Sequence, residues 1–269
     1  MASLFEDQAA GLRKLFAGAR GPASVAFAGP AGRGELVAAL ARGLASAGKE
    51  VLVIDEHAGQ EGVAAAFGLR SRFDLLQAVN RDVPAAQVLL RPEPSIRLLP
   101  AARAARQHAR LDAMMRRALS EWLRRLQKGC DFVLADTLDR AGADCSPLLP
   151  QPQHLVIALS PEGAAVTEAY ALMKRLAQAR DRRRFGIAIL GAAGPAERRT
   201  VFDNLRGVAG RHLGAELELI GGAATDGGPD GLGQSLAEAL LAAPRSAAND
   251  APSQARSLPQ GAKAAYPVV

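Results

Sequence analysis

Ser24-Val25-Ala26-Phe27-Ala28-Gly29-Pro30-Ala31-Gly32-Arg33-Gly34-Glu35-Leu36 is the stretch on which the fold turns. An apolar run leads into a glycine turn, and a helical pattern from Val37 to Ala47 follows. Strand, glycine loop and helix is the setting of a P-loop, where backbone N–H groups and a helix N-terminus cradle phosphates. Gly29 and Gly34 keep the glycine frame of G-x-x-x-x-G-K-[ST]. Glu35 stands at the lysine position and Leu36 at the position of the magnesium-ligand hydroxyl. At ~4 Å and an effective dielectric near ~20, that change of sign turns about 4 kcal/mol of attraction for a phosphate into a similar repulsion. The expectation is a nucleotide-binding fold with a degenerate site at Gly29, Gly32, Arg33, Gly34, Glu35 and Leu36.

Working outward, apolar runs recur at residues 24–28, 51–55, 96–100, 132–136, 154–160, 185–190 and 217–220, with helical patterns between them. Near-continuous apolar strands are expected where both faces of a sheet are covered. The alternation predicts an α/β fold with a doubly wound, mainly parallel sheet. Two of these strands end in carboxylates, Asp55 and Asp136, and such strand ends surround the crevice where this architecture places ligands. His57 and Glu56 lie beside Asp55, but consecutive strand-end residues rarely converge on one ion, so no metal site is expected.

The chain divides into three parts. Residues 1–20 hold an amphipathic helix, with Phe5, Ala9, Leu12 and Phe16 on one stripe. Residues 21–243 form the α/β domain. Residues 244–269, with prolines at 244, 252, 259 and 267, read as a disordered tail.

Of the 269 residues, 49% are apolar, enough for a substantial core, and no run approaches the ~20 of a membrane span. The first residues lack the basic start and apolar stretch of a signal peptide. Cys130 and Cys145 have no paired spacing, so a reduced, cytoplasmic setting is expected. The net charge of +6 is uneven. From Arg103 to Lys128 there are eight Lys/Arg against two Asp/Glu, and the clearest helical pattern, 109–128, carries Arg110, Arg117 and Arg124 opposite a stripe of Leu111, Met115, Ala118, Trp122 and Leu126. Such a face is usually solvated, and it lacks the interleaved aromatics of single-strand binders.

These residues resemble the MinD/ParA group of deviant P-loop ATPases, and within it the FlhG (FleN) family of flagellar regulators. The resemblance rests on Asp7-Gln8-Ala9-Ala10-Gly11-Leu12-Arg13, similar to the D-Q-A-x-x-L-R opening of that family, on the loop with Asp55 and Asp136, and on Ser160-Pro161-Glu162 with Thr167 to Lys174. It implies an ATPase with Mg-ATP as cofactor that dimerises and binds membrane. It also implies partners: a signal-recognition-type GTPase like FlhF, met through Asp7, Gln8, Leu12 and Arg13, and a flagellar transcriptional activator. The departures cluster at the nucleotide. Pro30 and Glu35 replace both lysines of the loop, His57 replaces the second aspartate after β-strand residue Asp55, and Leu190-Gly191 stands where a base-recognising asparagine belongs. Gly222-Ala223-Ala224-Thr225-Asp226 departs from a further family segment, and the tail lacks a membrane helix. The leading expectation is therefore a cytoplasmic regulator of flagellar number that acts by protein contacts without competent ATPase activity; homodimerisation stays open, and membrane and nucleic acid are not expected as primary partners. Two alternatives remain: a weak ATP-binding protein whose Arg33 reaches the phosphates, and a DNA- or activator-binding module built on residues 103–128.

Overall fold

The structure, a computed structural model, describes residues 21–30, 32–138, 145–221 and 228–242. The segments expected as arm and tail lie outside the described residues, as do Ala31 and residues 222–227. An eight-stranded sheet forms the centre, in the order β3-β4-β2-β5-β1-β6-β7-β8. Its strands are β1 (Ala23–Ala28), β2 (Val51–Asp55), β3 (Leu90–Glu93), β4 (Ile96–Pro100), β5 (Phe132–Asp136), β6 (His154–Leu159), β7 (Arg184–Ile189) and β8 (Glu216–Leu219). All neighbours pair in parallel except β3 with β4. The doubly wound, mainly parallel α/β class read from the sequence is what the chain adopts.

The period-2 alternation of strand residues splits the core into two layers. Val25, Phe27, Val51, Val53 and Leu134 face one side, beneath α1 (Arg33–Ser46), α2 (Val63–Ala66) and α9 (Pro229–Ala242). The intervening residues face the other side. There Ala26, Ile157 and Ile187 pack under α7 (Gly163–Arg180) and α8 (Pro195–Leu213). Leu52, Ile54 and Val133 pack under α3 (Leu75–Val79), α5 (Ala102–Gln107) and α6 (Ala113–Leu126), while α4 (Ala85–Val88) leads into β3. Both faces are therefore covered, which is why the strands read as continuous apolar runs.

Helices α1 and α9 pack backbone to backbone. A Cβ at Gly233 would lie 2.6 Å from the Ala39 Cβ and 2.8 Å from the Leu40 nitrogen, and one at Gly43 would lie 2.9 Å from the Ala237 Cβ. On the opposite layer, Asp74 caps α3 by accepting from Leu76 N at 3.0 Å, and also accepts from Arg103 N at 2.8 Å and Ala104 N at 3.1 Å. One buried carboxylate thus serves the starts of two helices.

Two sequence expectations need correction. Leu90–Glu93 was not foreseen as a strand, because Arg91-Pro92 interrupts it; a proline is tolerated there since β3 is an edge strand. The helix expected over 109–128 is shorter: Asp112 accepts from Met115 N at 2.7 Å and starts α6 at Ala113, after a 3-10 turn at His108–Arg110. The stripe Leu111, Met115, Ala118, Trp122 and Leu126 is partly buried, and Leu119 and Leu123 form its fully buried centre.

Candidate functional site

The site lies at the carboxyl ends of β1, β2 and β5, adjacent strands in the middle of the sheet. Asp136 is in register with Phe27 on one side and with Asp55 on the other. The turn after β1 brings backbone close to β6. Gly29 has φ +111°, and a Cβ there would sit 2.3 Å from the Ala158 carbonyl oxygen. Gly32, at φ +51°, precedes α1, and its Cβ would meet the Leu190 side chain at 2.6 Å. Gly34 is held as tightly: a Cβ there would lie 2.5 Å from the Glu61 carbonyl oxygen. The glycine frame is thus required by close approach, whatever the loop binds.

Arg33 is the residue around which the site is built. Its Nε donates to Asp136 Oδ1 at 3.0 Å, Nη1 donates to the Gly29 carbonyl, and Nη2 lies 2.5 Å from His57 Nε2. The side chain is 13% exposed and that of Asp136 1%. One guanidinium therefore ties together the glycine loop, the segment after β2 and the end of β5. In the alternative of a weak ATP site Arg33 reaches outward to phosphates; in this structure it turns inward, onto a buried carboxylate of its own chain.

The other expected residues divide sharply. Leu36 is fully buried in the core cluster of α1. Glu35 is exposed in the first turn of α1, where a negative charge suits the helix dipole. Asp55 is buried and accepts from Ala64 N at 2.9 Å and His57 N at 3.0 Å, so it fastens the loop after β2. Glu56 turns elsewhere: it accepts from Leu138 N at 3.0 Å and from the Ser146 hydroxyl. Asp55, Glu56 and His57 thus diverge, and no group of three His, Cys, Asp or Glu among the described residues is arranged to hold a metal ion. Asp7, Gln8, Leu12 and Arg13 lie outside the described residues.

Thr137 is a site residue the sequence does not single out, and Glu56, weighed there only as one of three possible metal ligands, serves instead as a loop-fastening acceptor. The Thr137 hydroxyl and backbone N–H both meet the Phe27 carbonyl, at 2.8 and 3.0 Å, joining the ends of β5 and β1. A polar residue directly after each strand-end aspartate was the signal available for both.

Burial pushes the Asp136 carboxyl up from its ordinary 3.8 to about 6, against the pull of Arg33. Burial likewise pushes Asp55 up to about 6, opposed by its Ala64 bond and aided by the neighbouring Asp136. His57 is driven below the ordinary imidazole range, first by burial and also by Arg33, with the Thr137 carbonyl at 2.9 Å opposing. Burial thus favours the neutral forms of His57, Asp55 and Asp136, and Arg33 is the cation that opposes it at Asp136. The Asp136 Oδ2 atom is buried without a hydrogen-bond partner among the described residues. Ion pairs of this kind are costly to desolvate and costly to break from one side.

No known family profile matches the chain. Among curated proteins, the antiactivator FleN of Pseudomonas aeruginosa is 26% identical over 193 residues, covering 72% of this chain and 69% of FleN. The flagellum site-determining protein YlxH of Helicobacter pylori is 26% identical over 193 residues, 71% of this chain and 64% of YlxH. The chain thus spans about two thirds of the length of these relatives. Among solved structures, the MinD cell division protein of Aquifex aeolicus superposes with a TM-score of 0.58 at 18% identity, covering 81% of this chain and 97% of that one. Cobyrinic acid a,c-diamide synthase of Mycobacterium smegmatis, with a bound ATP analogue and magnesium, gives 0.60 at 19% identity, over 82% and 94%. The two structural likenesses establish the fold.

Proposed function

We propose, on the premise that this chain is a distant homologue of the flagellar proteins FleN and YlxH, that it is a flagellar regulator working through protein contacts, with its nucleotide site filled by its own arginine. The observation that carries this reading is the position of Arg33. In an ATP-dependent relative of this fold, a magnesium nucleotide would be the cation-and-anion bridge between the glycine loop and the strand-end aspartates. Here the guanidinium makes that bridge with Asp136, the Gly29 carbonyl and His57. The adjacent loops are thereby held together without a ligand.

Glu35 and Leu36 support the same reading, since neither can meet a phosphate or ligate magnesium as lysine and threonine do. The surfaces around these loops would then be presented constitutively. The partners this reading names are a GTPase like FlhF, engaged by Asp7, Gln8, Leu12 and Arg13 of an arm at 1–20, and a flagellar transcriptional activator. The domain of 21–243 would be their rigid platform and 244–269 a dispensable tail.

Titration calorimetry with Mg-ATP tests the first half, and no binding in the micromolar range is expected. A pull-down from the native host with the full-length protein, with and without residues 1–20, tests the second: flagellar proteins should be retained and their GTPase member lost on truncation. Micromolar Mg-ATP binding refutes self-occupation, and absence of flagellar proteins refutes the regulatory role. The alternative of an ATP site opened by outward rotation of Arg33 draws on the left-handed Gly29 and Gly32, which keep the turn a phosphate would need.

A further inference from the structure

Away from the strand ends, the surface of α5 and α6 carries a charge that the site does not use. Arg103, Arg106, Arg110, Arg116, Arg117, Arg124, Arg125 and Lys128 are all exposed. The two acidic residues of this segment are engaged, Asp112 as the cap of α6 and Glu121 with Arg117 at 3.4 Å. Beside the basic face, between α6 and the turn of residues 147–150, lies a groove of about 240 Å³. Its floor is apolar, with Leu119, Leu123 and Leu148, and its rim is polar, with Ser120, Arg124 and Gln127.

We infer that this groove and its basic rim are a docking site for an acidic protein segment anchored by a bulky apolar residue. Charge complementarity selects an acidic occupant, and the leucine floor selects one that brings an apolar side chain. A polynucleotide would use the charge but not the floor, and Trp122, the aromatic of this helix, is half-buried against the core rather than one of a series of exposed rings. The chain's own ends do not qualify. Residues 1–20 carry Glu6 and Asp7 against Arg13, Lys14 and Arg20, and residues 243–269 carry Asp250 against Arg245, Arg256 and Lys263. A second copy brings the same net charge of +6 and so lacks the acidic excess this face selects.

The test uses the full-length protein and three fluorescent probes: a Glu-rich helical peptide with Leu and Phe at i, i+3 and i+4, poly-glutamate of matched charge, and a short DNA duplex. The amphipathic peptide should bind at about 50 mM salt at least about tenfold more tightly than poly-glutamate or DNA. Ser120→Phe, which fills the groove from an exposed position, should weaken the peptide at least about tenfold and leave poly-glutamate unchanged. Arg124→Glu should weaken all three. The inference is overturned if poly-glutamate or DNA binds as tightly as the peptide, if none of the three binds, or if Ser120→Phe, with an unchanged circular dichroism spectrum, does not weaken the peptide.

Discussion

Replacing Arg33 with Met should destabilise the protein by an amount that grows with pH. The guanidinium lies 3.0 Å from Asp136 Oδ1, worth about 5 kcal/mol of Coulomb energy at an effective dielectric of ~20. With Arg33 present, Asp136 titrates at about 6 against 3.8 ordinarily. Above that pH the wild-type carboxylate is ionised both folded and unfolded, and its contribution is level. Without Arg33 its folded-state pKa moves further up, so the folded mutant keeps a proton that the unfolded chain has released. A folded-state pKa raised above the unfolded value gives stability that is lost as pH rises, here by about 1.4 kcal/mol per pH unit. The lost bond to Gly29 adds a level cost of about 1 kcal/mol. The expected loss is thus about 1 kcal/mol near pH 5.5, about 2.5 near pH 7 and about 4 near pH 8. His57, relieved of Arg33, shifts toward its ordinary value and favours the mutant at low pH, steepening the trend. Urea denaturation of both proteins across this range reads the difference directly. A loss that stays flat between about pH 7 and pH 8, where His57 no longer titrates, or a slope in that window that survives when Asp136→Asn is present in both proteins, would falsify the assignment of Arg33 as the counter-charge of Asp136.

Three further outcomes are expected. Asp55, pushed up to about 6, stabilises the fold below its unfolded value and loses that contribution as pH rises through about 6; Asp55→Asn should therefore flatten the stability curve by up to about 1.4 kcal/mol per unit between about pH 4 and pH 6 in parallel urea series. Gly233→Ala should cost about 1 to 3 kcal/mol in thermal or urea unfolding, because its methyl would enter the Ala39–Leu40 backbone; a neutral substitution would show that α9 can shift away from α1. Asp74→Ala should cost about 2 kcal/mol or more, since Leu76, Arg103 and Ala104 lose the acceptor for their N–H groups together, and hydrogen exchange should show the starts of α3 and α5 loosening at the same time.

Much of the sheet was legible because its strands are buried on both faces and so declare themselves as short apolar runs. Val51–Asp55, Ile96–Pro100 and Phe132–Asp136 fall on the strand bounds read from the chain. Leu90–Glu93 did not, since an edge strand holding Arg91-Pro92 has half its surroundings missing and no pattern to show for it. The positions of the site residues were readable as strand ends and turn glycines. Their partners were not. Arg33 and Asp136 are far apart along the chain, and whether a long flexible side chain turns outward to a ligand or inward to a carboxylate depends on the cavity that tertiary packing leaves. Leu36 is the converse case: its place in the loop pattern pointed toward a ligand, while its apolar side chain settled it in the core.

The order of the strands has a consequence for synthesis. Strand β1 is completed at Ala28, yet its two neighbours are β5 and β6, the second of which ends at Leu159. At a translation rate of about 5 to 20 residues per second, roughly 7 to 26 seconds separate the emergence of β1 from that of its last partner. Until β5 emerges, an apolar strand destined for the middle of the sheet has both edges unpaired, and one edge stays open until β6 follows; open edges of this kind recruit strands from other chains. The yield of folded protein at high expression should therefore respond to the speed of the ribosome and to chaperones that shield early strands, independently of how stable the finished molecule is.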